Sequence, residues 1–171
     1  VLQFPSLLVA EQKFMIARKN SPQYVTDLEE IYGGPTQSFL GSAVFYEVLK
    51  PEDDLSYVAL KKYKYFVGKH WSQAYRDAWK MVYGRSIDAP RAIISELRSL
   101  NDFQAELSAS LILDNIDDAE AGQRALVAAF DDPKTIELTI HKMGDGEAIS
   151  GLVISGRHAN GEATFLVSIG D

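Results

Sequence analysis

The chain has 171 residues, 46% of them apolar, with no cysteine and a formal charge of −7. That length buries one sizeable core and argues against two independent domains, so residues 1–171 are read as a single domain. The absence of cysteine excludes disulfides, thiolate catalysis and Cys-based zinc or iron–sulfur sites. No apolar run approaches the roughly eighteen residues of a membrane span, and no signal-peptide pattern occurs, so no membrane partner is expected. The default expectation is a soluble cytoplasmic protein, although a start at Val1 rather than Met leaves room for a trimmed N-terminus.

Ser6 opens a candidate helix through about Lys19, which Asn20-Ser21-Pro22 stops. Thr26 and Glu29 have capping-box spacing, so a short helix should follow. Gly33-Gly34-Pro35 breaks the chain. The next stretch, 38–50, fits either a helix or a strand, and the helix is preferred.

Residues 57–85 then hold seven of the seventeen Lys and Arg, one acidic residue, both tryptophans and eight of the eighteen aromatic residues. This segment carries +6, which leaves −13 on the other 142 residues. Projected at 100° per residue, its apolar positions rotate too far for one straight helix to bury them. Leu55, Ala59, Tyr63 and Phe66 centre one face, while Trp71, Tyr75, Ala78, Trp79 and Val82 centre another on roughly the opposite side. The expectation is two helices, about 53–67 and 70–83, with Gly68 as an αL cap between them and Gly84 closing the second.

Asp88 can cap a further helix to about Leu100, with Pro90 in its first turn. The stretch 108–114 reads as a strand, Asp117 or Asp118 caps a helix to Phe130, and three strands follow. The fold class is therefore α+β: a helical part, about 1–104, packed on a small β-α-β-β-β sheet part, about 105–171, that ends in an antiparallel three-stranded meander. A two-residue Asn160-Gly161 turn pairs Ala159 with Glu162, and sets Ile154 opposite Val167, Leu152 opposite Ile169 and Gly156 opposite Phe165. A three-residue Gly144-Asp145-Gly146 loop sets Ile136 opposite Ile154 and Leu138 opposite Leu152. Both registers give the sheet one apolar face, which the 118–130 helix should cover.

Catalytic and cofactor motifs are missing. Gly144-Asp145-Gly146 precedes a strand rather than a helix, so it is a hairpin turn and not a phosphate loop. No Walker A, H-E-x-x-H or G-x-S-x-G sequence occurs. Asp114 to Asp118 lacks the glycine and distant glutamate of a calcium loop, and helix capping accounts for it. The histidines do not converge: His70 begins a helix, His158 sits at a hairpin mouth on the apolar side, and His141 shares the polar sheet face with Glu137 and Thr139. No cofactor and no metal are expected.

The basic segment remains. Nucleic-acid binders put cations and free aromatics on one surface, whereas here Trp71, Tyr75 and Trp79 point inward and Lys69, Arg76 and Lys80 outward. Only the first helix mixes the two classes, with Tyr57, Lys61 and Lys64 outward and Tyr65 at the flank. The expected function is a non-enzymatic interaction or regulatory protein. It holds a protein partner, acidic in the simplest case, through Tyr57, Lys61, Lys64, Tyr65, Lys69, Arg76 and Lys80, or through the polar sheet face. Nucleic acid bound by the basic helices is the first rival. A small-ligand or enzyme pocket between helices and sheet, using His141, Glu137 or tyrosines, is the second. An exposed edge on the C-terminal strand would offer pairing with another copy of the chain.

Overall fold

A computed structural model describes residues 21–144 and 149–170; the 6–19 helix expectation and the Asp145-Gly146 turn lie outside them. In chain order the elements are α1 (Gln23–Tyr32), β1 (Gly41–Val48), α2 (Leu55–Val67), a 3-10 turn (Gly68–His70), α3 (Gln73–Ala78), β2 (Lys80–Gly84), α4 (Ile93–Arg98), α5 (Phe103–Leu113), α6 (Ala119–Phe130), β3 (Thr135–Gly144), β4 (Ser150–His158) and β5 (Glu162–Gly170). The class is α+β, with one five-stranded sheet in the order β1-β5-β4-β3-β2 and every pairing antiparallel. The C-terminal meander is present. The C-terminal strand is internal rather than an edge, because β1 pairs along its outer side.

Both sheet faces are buried, against the expectation of one apolar face. On the first, Val44, Leu138, Ile140, Leu152, Ile154 and Leu166 pack under α1, α4, α5 and α6. On the second, Ala43, Phe45, Val153, Phe165, Val167 and Ile169 pack under α2 and the aromatic residues around α3. A strand buried on both sides carries apolar residues on both, as Leu152-Val153-Ile154 in β4 and Phe165-Leu166-Val167 in β5 do.

The register of the last hairpin differs from the expected one by a single residue. Ile154 stands opposite Leu166, and Val153 opposite Val167. The connection has three residues, Ala159-Asn160-Gly161: the Gly161 amide donates to the His158 carbonyl at 3.0 Å, and the Glu162 amide turns back to the Asn160 side chain at 3.0 Å. Gly161 is required there because φ is +95° and a Cβ would lie 2.4 Å from the Leu49 carbonyl oxygen. A one-residue slip exchanges the two faces, so Leu152 and Ile154 share a side with Leu166 instead of with Val167 and Ile169. In the β3–β4 hairpin, Ile140 faces Ile154 and Leu138 faces Gly156. That is a four-residue shift, which preserves the side each residue occupies. Ile136 sits at an irregularity between Thr135 and Glu137 and is exposed.

Five local expectations are corrected. Residues 41–48 form a strand, as the β-branched and aromatic run Val44-Phe45-Tyr46 favours once β5 is available to pair. Residues 108–114 lie in helix α5, not in a strand. That helix is apolar on its outer side too, with Phe103, Leu107 and Leu111 exposed, and such a run carries no period to separate helix from strand. The expected 70–83 helix divides into α3 and β2, because Lys80–Gly84 pairs along the outer edge of β3. Finally, Asp88 caps nothing and α4 begins only at Ile93, whose amide donates to Asp131 from across the fold at 3.0 and 3.1 Å. Thr26 likewise lies inside α1, whose N-cap is Pro22. By contrast, Asp118 caps α6 through the Ala121 amide at 3.0 Å, and α6 runs to Phe130 as the sequence indicates.

One buried ionic cluster fastens β2 to the helical layer. Arg85 donates from Nε and Nη2 to the Glu96 carboxylate at 2.9 and 2.5 Å, from Nη2 to Asp131 at 2.9 Å and from Nη1 to the Phe130 carbonyl at 2.8 Å. Tyr83 donates to Glu96 at 2.5 Å.

Candidate partner-binding face

Helix α2 begins at Asp54, whose side chain accepts from the Ser56 amide at 3.0 Å. Its inner stripe of Leu55, Val58, Ala59, Tyr63 and Phe66 is buried on the second sheet face. Because that stripe fixes the helix's rotation, Tyr57, Lys61 and Lys64 are turned to solvent at i, i+4 and i+7. Tyr57 is 61% exposed, and Lys61 Nζ lies 5.3 Å from its ring centroid. Lys64 Nζ lies 5.6 Å from the Trp71 ring. Tyr65 is at the flank, its ring edge-on to Phe45 at 5.8 Å.

Gly68 ends the helix, donating to the Lys64 carbonyl, with φ 57° and ψ −124°. The φ is left-handed as expected, but the ψ is not that of an αL cap. The backbone therefore turns into the 3-10 segment that carries Lys69 and His70, both exposed. Arg76 is exposed on α3. Lys80 leaves the group: it pairs with Lys142 across the β2–β3 ladder, and its charge, with that of Lys142, helps draw the Asp102 carboxyl below its usual range against the opposing effect of burial. Asp102 caps α5 on the first sheet face, so Lys80 serves the layer opposite α2.

Among the described residues Lys61, Lys64, Lys69 and Arg76 form no ion pair, whereas Lys62 pairs with Glu47 at 2.5 Å. Three carboxylates in neighbouring stretches of the chain take other partners. Asp53 accepts from the Lys50 amide at 2.8 Å, Asp54 caps α2, and Asp77 accepts from Gln73 at 3.4 Å.

Trp71, Tyr75 and Trp79 turn toward the core, although Trp79 does so from the C-cap of α3 and Ala78, projected inward with them, is exposed. Tyr75 is buried, Tyr63 meets Trp71 and Trp79 at 6.5 and 6.2 Å, and Trp71 meets Tyr75 at 6.2 Å. Trp79 also stacks flat on His141 at 4.4 Å and 7°. His141 is thus not on a solvated face but 2% exposed, and burial, opposed only by the charge of Asp54, pushes its pKa down to about 4. Thr139 and Ser155 stand opposite each other beside it, and Thr139 Oγ1, Ser155 Oγ and His141 Nδ1 are all buried without a hydrogen-bond partner. Glu137 lies four residues along β3 from His141, roughly 13 Å, and points to Arg157 at 3.9 Å. The pair needed for acid–base chemistry does not converge. No group of three or more metal-ligating side chains occurs among the described residues.

A second polar cluster has no local signature in the sequence because its members come from four elements. Tyr24 on α1 donates to Glu162 at 3.2 Å, and His158 Nδ1 lies 3.6 Å from the same carboxylate oxygen. Tyr46 on β1 has its hydroxyl pushed up to about 12 by burial and by the neighbouring Glu162 charge.

Comparison with protein-family models, with curated proteins and with solved structures finds no match to this chain. Function therefore rests on the geometry above. No helix among the described residues is long and apolar enough to cross a membrane.

Proposed function

We propose that the chain is a non-enzymatic binding protein that holds an acidic protein partner on the outer side of α2 and the turn that follows it. The observation that carries this reading is the unpaired state of Lys61, Lys64, Lys69 and Arg76 in a chain whose net charge is −7. Intramolecular carboxylates are abundant, yet none among the described residues is spent on these four cations. A helix C-terminus tolerates basic residues because of its dipole, which accounts for Lys64 in the last turn of α2 and Arg76 in the last turn of α3, but not for Lys61 or Lys69. Charges of this kind steer association and fix register.

Tyr57 stands beside Lys61, which also suits a nucleic acid, but the Lys61 ammonium lies over the Tyr57 ring where a base would have to stack. A protein partner is therefore favoured.

The test compares two baits in a nuclease-treated native lysate: the parent chain and the K61E/K64E/K69E/R76E variant. A partner retained by the parent at low salt, absent from the variant and released as salt rises is the expected result. Identical captures by the two baits, or capture abolished by the nuclease, would overturn the proposal.

A further inference from the structure

A pocket of about 310 Å³ opens where the loop before β1 meets the end of α2, lined by Gln37, Phe39, Phe66, Gly68, Lys69 and His70 among others. Its position continues the cationic row. From Lys61 to Gly68 is about 10 Å along the helix axis, the span of roughly three residues of extended peptide. We infer that this pocket seats a single apolar side chain of the acidic partner. The segment recognised is then a linear peptide with one aromatic or aliphatic anchor and carboxylates within about four positions on the side that runs toward Tyr57. This deepens the binding reading above and rests on it.

The pocket has the chemistry of an anchor site. Its wall is aromatic: Phe39 and His70 lie 4.3 Å apart, ring to ring, at 34°, and Phe66 is fully buried behind. It is held open by backbone, since the Ser38 amide donates to the Phe66 carbonyl at 2.9 Å and ties the loop to the helix end. At Gly68 the positive φ already calls for glycine, and a Cβ would come within 3.3 Å of the Gln37 side-chain amide. The rim is polar and cationic, through Gln37, Lys69 and His70. A cavity of this size is at the lower limit of small-molecule sites, roughly 300 Å³, and has room for one Phe or Leu side chain. An apolar hole beside unpaired ammonium groups matches an apolar anchor flanked by carboxylates, with the anchor supplying affinity and the charges direction.

The experiment uses labelled dodecapeptides of Glu and Asp with a central Phe or a central Ala, and a twelve-nucleotide single strand, read by fluorescence anisotropy at low salt. Four proteins are compared: the parent, Phe39→Ala, His70→Ala and K61E/K64E. His70→Ala serves as a second wall variant, and far-UV circular dichroism checks that each is folded. The Phe peptide should bind the parent about tenfold more tightly than the Ala peptide, the modest end of burying one aromatic side chain. That preference should vanish in both wall variants, while K61E/K64E weakens the two peptides alike. Equal binding of both peptides to the parent, with both lost in K61E/K64E, would overturn the anchor pocket and leave the charged face standing. Failure of both peptides to bind the parent, or tighter binding of the single strand, would overturn both.

Discussion

Replacing Arg85 with Met removes the cation from a site where two carboxylates remain. Arg85 and Glu96 side chains are 6% and 8% exposed, and Asp131 is 11% exposed, so water cannot replace the lost hydrogen bonds. Removing one partner of a buried pair costs about 3–5 kcal/mol. For a chain of this length that is a fall of roughly 6–20 °C in Tm, at about 2–4 °C per kcal/mol. The pH dependence gives a second readout. Burial pushes the Glu96 carboxyl up, but hydrogen bonds from Arg85 and Tyr83 outweigh it, so Glu96 sits below its ordinary value. Its contribution to stability is present above the unfolded pKa and is lost as pH falls through the folded one. Asp131 has the opposite sign, since burial leaves its carboxyl above the ordinary value, and its contribution fades as pH rises through that value. Without Arg85 both carboxyls should be raised, and the variant's deficit should shrink between pH 7 and pH 4.5 as they take up protons. The R85M/E96M double variant, which replaces the charge pair with apolar side chains, should be less destabilised than R85M alone. Urea unfolding followed by Trp71 and Trp79 fluorescence measures all three quantities. A cost below about 1 kcal/mol, an equal deficit at both pH values, or a double variant worse than the single one would refute the reasoning.

His141 gives a test of opposite origin. Its pKa is pushed down to about 4 by burial, so the unfolded chain takes up the proton first, and stability should fall by about 1.4 kcal/mol per pH unit below roughly 6.5. His141→Phe keeps a ring against Trp79 and should flatten that slope in urea titrations at pH 7, 5.5 and 4.5; an unchanged slope would assign it to other groups. At Gly151, where an added Cβ would lie 2.6 Å from the Tyr63 hydroxyl oxygen, Gly151→Ala should cost about 1–3 kcal/mol through overpacking. Thermal unfolding of that variant within 1 °C of the parent would show that α2 shifts freely over the sheet.

What could be read from the sequence was whatever is decided locally. Asp118 announces α6 because a cap and its amide are three residues apart, and the break at Gly68 follows from a rotating apolar stripe that one helix cannot bury. The failures have non-local causes. The Asn160-Gly161 turn carries an extra residue because Leu49, more than a hundred positions earlier, donates to the Gly161 carbonyl. Residues 80–84 extend only because β3 presents an edge to them, and Asp131 caps α4 from a different helix's end. The candidate face divides in the same way. Tyr57, Lys61 and Lys64 were legible as an outward row because one helix carries them, while Lys80 was misplaced with the strand that carries it. The pocket joins residues 37–39 to residues 66–70, a juxtaposition that no periodicity reports.

The strand order sets the schedule of folding. β1 at residues 41–48 finds its ladder partner only in β5 at 162–170, so the outer strand waits about 120 residues for its neighbour. During synthesis α2 lacks the floor on which its inner stripe rests, because Phe165, Val167 and Ile169 emerge about a hundred residues after it. Pairings of such sequence separation close slowly and leave apolar surface open in the interval. A chain truncated before residue 162 would keep the candidate face's cations and lose the strand on which their helix rests.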